Sequence, residues 1–369
     1  MIFSLLALSA ATLLAVFTRV LQVMAVAATA GVRRLSSAPE SVPGGSFRTS
    51  ASHSERTVAV QDGKGLITYH PAYDRHDSER VTRALQEAVA LGATYLRSDI
   101  NWRDIMLSPN EVNSSALEWY SSFFREVRGT FGLVPMIVLS NPAPSVAQLA
   151  TARRLEAWEK YVSAVVKSLG GACRHFQLLN EPNNPVFQFF SIEASTVALR
   201  TAARIIRLDI PDARLAVNFL VDIWPWQPHL EQLLSHASEA IDIVGIDLYP
   251  STWRIGFGSG YHEWYSMPRA LHKRLKELRF DKSIAICETG YSTNIPLVRD
   301  EAAQLNYFRQ LIKAATELKH FEFIGIYELT DENSNVIVDP EPNFGILDSR
   351  LRRKLAFQEV QKLFSELNS

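Results

Sequence analysis

The chain has 369 residues, 47% of them hydrophobic and 10% aromatic, with 38 basic against 39 acidic side chains and a net charge of −1. That is enough apolar material for one large core or two average domains, and it leaves no basic footprint for nucleic acid, so a neutral or polar partner fits better. The two cysteines, Cys173 and Cys287, are too few for a disulfide scaffold or a thiolate metal site and are expected as free core thiols.

The first thirty residues are apolar apart from Arg19, and Ala28-Thr29-Ala30 ahead of Gly31 has the small-residue pattern of a signal-peptidase site. Export is expected, leaving the protein outside the cytoplasm, secreted or membrane-anchored. Arg33 and Arg34 follow the run while no Lys or Arg precedes it, so an uncleaved membrane anchor over residues 1–30 is the alternative. Residues 31–56 are rich in Ser, Pro, Gly and Arg with no apolar period and read as a flexible tether. The catalytic unit is expected over residues 57–369.

Beyond the tether, strand-like runs alternate with amphipathic helix-like runs. A strand at 65–70 precedes a helix at 78–91. A strand at 93–99, ending in Arg97-Ser98-Asp99, precedes a helix at 115–129. The pairs then continue as 133–139 with 153–169, 175–180 with 193–208, and 214–220 with 229–238. The last three are 243–249 with 266–278, 283–288 with 300–318, and 323–328 with 350–367. Eight βα units in this order predict an α/β fold, a (β/α)8 TIM barrel of parallel strands with the helices outside. An open doubly wound sheet is the alternative, weakened because no Gly-x-Gly-x-x-Gly turn follows the first strand. No nucleotide or other cofactor is expected. If Glu288 points inward, alternation puts Ile284 and Ile286 inside the barrel and Cys287 against the helices; Asp247 shares a face with Tyr249, and Arg97 with Asp99.

Two glutamates occupy matching contexts: Glu181 in Leu178-Leu179-Asn180-Glu181-Pro182-Asn183 and Glu288 in Ile284-Ala285-Ile286-Cys287-Glu288-Thr289-Gly290. Each ends an apolar run and is followed by turn-forming residues, which sets both carboxyls at the C-terminal rim of the sheet, on the fourth and seventh strands. Pro182 biases Glu181 toward an extended backbone. Glycoside hydrolysis needs one carboxyl to protonate the leaving oxygen and a second to act at the anomeric carbon, with about 5–5.5 Å between them in retaining enzymes. Opposite walls of one barrel mouth can supply that gap.

Other candidates surround this pair. Asn180 offers an amide to a sugar hydroxyl, and Arg97 and Tyr249 are placed to hold the second carboxylate. His70, at the end of the first strand, is a candidate substrate contact. Aromatic residues crowd the predicted top loops: Trp102, Trp224, Trp226, Trp253, Trp264, Tyr265 and Tyr291. One or two of them, with Trp102, Trp224 and Trp253 foremost, are expected to form a platform for a sugar face. Glu328, Asp331 and Glu332 follow the eighth strand as a further set of polar contacts. No His-x-x-x-His, acidic calcium loop or Gly-x-Ser-x-Gly elbow occurs, so neither a catalytic metal nor a serine nucleophile is expected.

From about residue 65 to 360, the chain resembles the clan A glycoside hydrolases, retaining (β/α)8-barrel enzymes, and is closest in style to the cellulase-like family 5 and the xylosidase-like family 39. The residues that carry the resemblance are Tyr95-Leu96-Arg97-Ser98-Asp99 with Trp102, Asn180-Glu181-Pro182, Asp247-Leu248-Tyr249, Glu288-Thr289-Gly290, Tyr327-Glu328-Leu329-Thr330-Asp331 and Asn343-Phe344-Gly345-Ile346-Leu347-Asp348. The resemblance implies that Glu181 is the acid/base, Glu288 the nucleophile, Asn180 the contact to the sugar 2-hydroxyl, and Tyr249 and Arg97 the supports of the nucleophile. Two positions depart from it. Many members carry His where Asp247 stands, and Trp near Tyr327 and Glu328. The expected activity is hydrolysis of O-linked β-glycosidic bonds in an oligosaccharide, polysaccharide or glycoconjugate. A catalytically silent carbohydrate-binding barrel and a transglycosylase using the same residues are the alternatives.

Overall fold

A computed structural model describes residue 47 and residues 63–142, 144–222, 225–252, 260–294, 299–332 and 340–368. The predicted leader over 1–30, Trp224 and Trp253 lie outside the described residues. So does the predicted tether, apart from Phe47. That residue is buried edge-on against Trp119 and Phe123, with ring centroids 5.8 and 5.7 Å away. Among the described residues no helix is long and apolar enough to cross a membrane.

Eight strands close into one barrel: β1 (Gly65–Thr68), β2 (Tyr95–Asn101), β3 (Val134–Ser140), β4 (His175–Leu178), β5 (Arg214–Leu220), β6 (Ile243–Asp247), β7 (Ser283–Thr289) and β8 (Ile324–Ile326). Each pairs in parallel with its sequence neighbour, and β8 returns to β1. The main outer helices are α1 (Ser78–Ala90), α2 (Ser114–Gly129), α3 (Thr151–Leu169), α4 (Ile192–Asp209), α5 (Gln227–Ala237), α6 (Glu263–Glu277), α7 (Glu301–Leu318) and α8 (Phe357–Leu367). The expected (β/α)8 barrel is therefore the fold.

Several helix starts are set by short polar side chains. Asp77, Asn113, Ser191 and Asp300 each accept the N–H three residues on, capping α1, α2, α4 and α7; such a cap contributes about 1 kcal/mol. The last helix begins later than the predicted 350. Asp348 accepts the N–H groups of Arg350 and Arg352, and Leu351 takes a left-handed φ of 60°. This turn delays the helix and leaves Lys354 buried against Asp331, 2.7 Å away.

The floor of the barrel is an apolar plug of Leu66, Met136, Ala216, Ile243, Ala285, Cys287 and Phe323, with Tyr95 beside it. The expected alternation of β7 is corrected here. Ile284 and Ile286 face the helices and Cys287 faces inward. Yet Glu288 reaches the interior too, because Cys287 is an extra residue. On the β6 side Ile246 and Asp247 pair with Ile286 and Glu288, and on the β8 side Ile324 and Ile326 pair with Ile286 and Thr289. A β-bulge of this kind re-aims the side chain that follows it. The two flanking strands leave room for it with glycine. A Cβ on Gly245 would lie 2.3 Å from the Cys287 sulfur, and one on Gly325 would lie 2.1 Å from the Cys287 carbonyl oxygen.

Candidate active site

At the C-terminal ends of the strands the interior turns polar. Arg97 rises from β2 with only 2% of its surface exposed. Its Nε donates to Gln177 Oε1 at 2.9 Å, and one terminal nitrogen reaches both Asn180 Oδ1 at 3.1 Å and Glu288 Oε1 at 2.6 Å. The other Glu288 oxygen accepts from the Tyr249 hydroxyl at 2.6 Å. Burial opposes the charge on Arg97, but the Glu288, Asp99 and Asp247 carboxyls outweigh it and raise the guanidinium's pKa. Burial and the Glu288 carboxylate likewise push the Tyr249 phenol up. It stays a donor.

The opposite wall differs from the expectation for Glu181. β4 stops at Leu178, and the backbone then takes left-handed values at Leu179 (φ 66°) and Glu181 (φ 43°). Pro182 therefore follows a turn and not an extended residue. The Glu181 N–H donates to Asn218 Oδ1 at 3.1 Å, and its carbonyl accepts the Asn184 N–H at 2.8 Å. Tertiary bonds thus overrule the local bias set by proline. Such a conformation costs about 1–3 kcal/mol and tends to occur where a side chain must be aimed.

The Glu181 carboxyl is 4% exposed and accepts from Asn184 Nδ2 at 2.7 Å. Burial, with the charge of Glu288, raises its pKa to about 7, against the opposing hydrogen bonds of Asp247 and Asn184 and the charge of Arg97. Glu181, Asp247 and Glu288 each place one oxygen within 4.8 Å of the others. A cation could be reached by three such oxygens, but Arg97, Tyr249, Asn184 and Asn218 already contact these carboxyls.

Asn180 sits between the two walls. Its Oδ1 is held by Arg97, Gln177 at 2.9 Å and Asn218 at 3.0 Å, which leaves its Nδ2 as the group to donate elsewhere. Gln177, Asn184 and Asn218 were not singled out in the sequence. For Gln177 and Asn218 the legible signal was a polar residue inside an otherwise apolar strand.

His70 lies between two carboxylates, with Nδ1 3.4 Å from Asp99 and Nε2 3.5 Å from Glu328. Burial disfavours its charge, but the hydrogen bond and charge of Asp99 prevail and raise its pKa. Glu328 is almost fully buried, and burial with Glu332, Glu341 and Asp331 nearby holds its pKa well above the usual carboxyl range. Asp331 is spoken for by Lys354.

The expected share of Trp102 in the aromatic platform is corrected. Trp102 is fully buried, stacked on Tyr161 at 5.5 Å and edge-on to Trp158, so it packs the shell between barrel and helices. Trp226 and Trp264 are buried as well, the latter against Tyr307. A tryptophan next to a strand end is as useful for packing as for binding, and sequence does not separate the two. A half-buried aromatic at the mouth is Tyr327, 5.8 Å from the His70 ring, 6.5 Å from Tyr249 and 5.5 Å from Phe344.

This is a (β/α)8 barrel with the carboxyls of Glu181, Asp247 and Glu288 buried and clustered at its open end. No protein-family profile matches the sequence, and no curated protein does. Solved structures match it in shape. A family 39 glycoside hydrolase from the gut symbiont Bacteroides cellulosilyticus WH2 is 16% identical, with 83% of this chain and 64% of that one covered and a TM-score of 0.64. The exo-β-1,4-mannosidase Op5Man5 from Opitutaceae bacterium strain TAV5 is 14% identical, with 86% and 62% covered and a TM-score of 0.68. A family 1 β-glucosidase from Thermotoga maritima is 14% identical, with 84% and 99% covered and a TM-score of 0.60. The chain spans under two thirds of the length of the first two. These neighbours are clan A glycoside hydrolases. At such identities the shared property is the barrel.

Proposed function

We propose that the protein is a retaining glycoside hydrolase that cleaves O-linked β-glycosidic bonds, with Glu288 as nucleophile and Glu181 as acid/base. The observation that carries this is the placement of both carboxyls at one barrel mouth with oxygens within 4.8 Å, close to the spacing of about 5–5.5 Å used for double displacement.

In the first step a Glu288 oxygen attacks the anomeric carbon while Glu181 gives its proton to the leaving oxygen. The glycosidic C–O bond breaks and an ester to Glu288 forms. In the second step Glu181, now a carboxylate, takes a proton from water as that water attacks the same carbon and releases Glu288. Two inversions return the starting configuration. Arg97 and Tyr249 hold Glu288 against rotation, and both can follow its oxygens as the ester forms. The pKa of Glu181 at about 7 suits a group that must donate and then accept near neutrality. Asn180 Nδ2 is assigned to a sugar hydroxyl beside the anomeric carbon, and Tyr327 and His70 to the sugar face and rim. Trp224 and Trp253 keep their sequence-based assignment to substrate binding, as do residues 1–30 to export or anchoring.

Incubation with 4-nitrophenyl β-glucoside, β-mannoside and β-xyloside tests the reading. Turnover by the native chain, lost in Glu288→Gln and lowered in Glu181→Gln, most of all when the leaving group is poor, with the β-anomer as first product by NMR, is the expected result. A 2-fluoro-glycosyl adduct found on Glu288 by mass spectrometry would add to it. Carbohydrate binding without turnover on any of these, or a first-formed α-anomer, would overturn it.

A further inference from the structure

Of the three carboxyls clustered at the mouth, Glu181, Asp247 and Glu288, Asp247 has no role in the two-step scheme. It lies at the end of β6 with no exposed surface. Its Oδ2 accepts from Asn218 Nδ2, and that same Asn218 accepts the Glu181 N–H and donates to Asn180. Its Oδ1 is buried and receives no hydrogen bond from any N–H or hydroxyl donor. Its carboxyl clusters with those of Glu181 and Glu288, each of the three offering an oxygen within 4.8 Å of the others. Ionised carboxylates are acceptors only, so a hydrogen bond between two carboxyls requires a proton between them.

The surroundings say where that proton sits. The charged and titratable groups facing Asp247 are Glu181 from β4, Glu288 and Cys287 from β7, Arg97 from β2 and Tyr249 beyond β6. Only Arg97 is cationic, and it is engaged with Glu288. The Cys287 thiol and Tyr249 phenol are pushed up by burial and stay neutral. Three negative charges with one cation in a dry site is a costly arrangement, whereas one retained proton leaves two.

We infer that Asp247 is a positioning residue, a neutral carboxylic acid whose Oδ1–H donates to Glu181 throughout the catalytic cycle. This rests on the assignment of Glu181 as acid/base. When Glu181 passes its proton to the leaving oxygen, the Asp247 proton stays on Asp247, and its hydrogen bond strengthens because the acceptor has become charged. The proton then taken from water returns to Glu181, so Asp247 ends the cycle as it began. A group of this kind stabilises the carboxylate that develops on Glu181 without itself exchanging a proton with substrate. Burial, Glu288 and Glu181 all hold the Asp247 pKa well above its usual range, in keeping with that state.

The test is the pH profile of kcat/KM on the best-cleaved alkyl β-glycoside, whose leaving group needs the proton of Glu181, for wild type, Asp247→Ala and Asp247→Asn. Alanine removes the donor, so the alkaline limb should move up by about one unit and kcat fall by about tenfold or more. Asparagine can accept from Asn218 and donate its amide to Glu181. It should hold the limb within about 0.3 unit while lowering kcat a few-fold, since an amide donates less strongly to an anion than a carboxylic acid. A limb that moves down in both variants overturns the inference, because loss of a negative neighbour eases ionisation of Glu181. So does a limb unmoved in both. Infrared difference spectra of wild type against Asp247→Asn near pH 8 read the proton directly. A protonated-carboxyl band lost in the variant supports the inference, and absence of the band in wild type refutes it, even if the alanine variant does not fold. The infrared result stands apart from turnover, so failure of the glycosidase reading and failure of this inference are distinguishable.

Discussion

On the β7 wall of the mouth, the oxygens of Glu288 meet a guanidinium and a phenol, each at 2.6 Å. On the β4 wall, Glu181 accepts from the amide of Asn184 and has the carboxyl of Asp247 within 4.8 Å. The side chain is the same and the company is opposite. A cation and a strong donor favour a charged oxygen; burial beside other carboxyls favours a proton. In the proposed reading one barrel thereby prepares an attacking group and a proton donor from two glutamates, and the division lies in their neighbours.

The division is broken most severely at Glu288. Replacing it by Gln removes the attacking oxygen and should reduce turnover to background on every leaving group, read by steady-state rates. Glu181→Gln should lower kcat/KM by about 10²–10⁴-fold on substrates with poor leaving groups and far less on 4-nitrophenyl glycosides, whose departure needs little protonation. Equal losses on both would contradict the roles assigned. Leucine in place of Arg97 leaves Glu288 buried without its cation, and urea unfolding should show a loss of about 3–5 kcal/mol.

A subtler contrast appears in stability against pH. The folded pKa of Glu181 is raised from 4.5 to about 7. Its contribution is therefore fully present below about pH 4.5 and is lost as pH rises through about 7, by on the order of 3 kcal/mol at most. Thermal melts should show wild type losing ground to Glu181→Gln across that window; parallel curves would rule out the raised pKa. The smallest effect is expected for Tyr249→Phe. Loss of one hydrogen bond to a charged group is worth about 1.5–3 kcal/mol, or about ten- to hundredfold in kcat/KM, with the fold intact by circular dichroism.

Much of this could be read from the chain. The eight strands were legible because each is a short apolar run bounded by turn residues, and Glu181 and Glu288 because both sit where such a run ends. Arg97 and Tyr249 followed from alternation, which holds in β2 and β6. It failed in β7, where the bulge at Cys287 arises from pairing with Gly245 and Gly325 on separate strands. Those positions are distant in sequence, and no local pattern encodes their meeting. Trp102 failed for a related reason: its burial depends on Trp158 and Tyr161 from α3. Asp247 was legible from its alternation with Tyr249 and as a departure from the resemblance, but its partners were not, since they come from beyond β4 and from β5 and β7.

The apolar plug beneath Arg97 has a kinetic consequence. With Leu66, Met136, Phe323 and their companions filling the barrel floor among the described residues, the door to the carboxyls is the open end of the barrel. In the proposed two-step scheme, the departing aglycone and the incoming water must use it in turn. Any sugar alcohol waiting at that door competes with water for the ester on Glu288, so the ratio of hydrolysis to sugar transfer becomes a matter of traffic at the entrance and not of the carboxyls behind it.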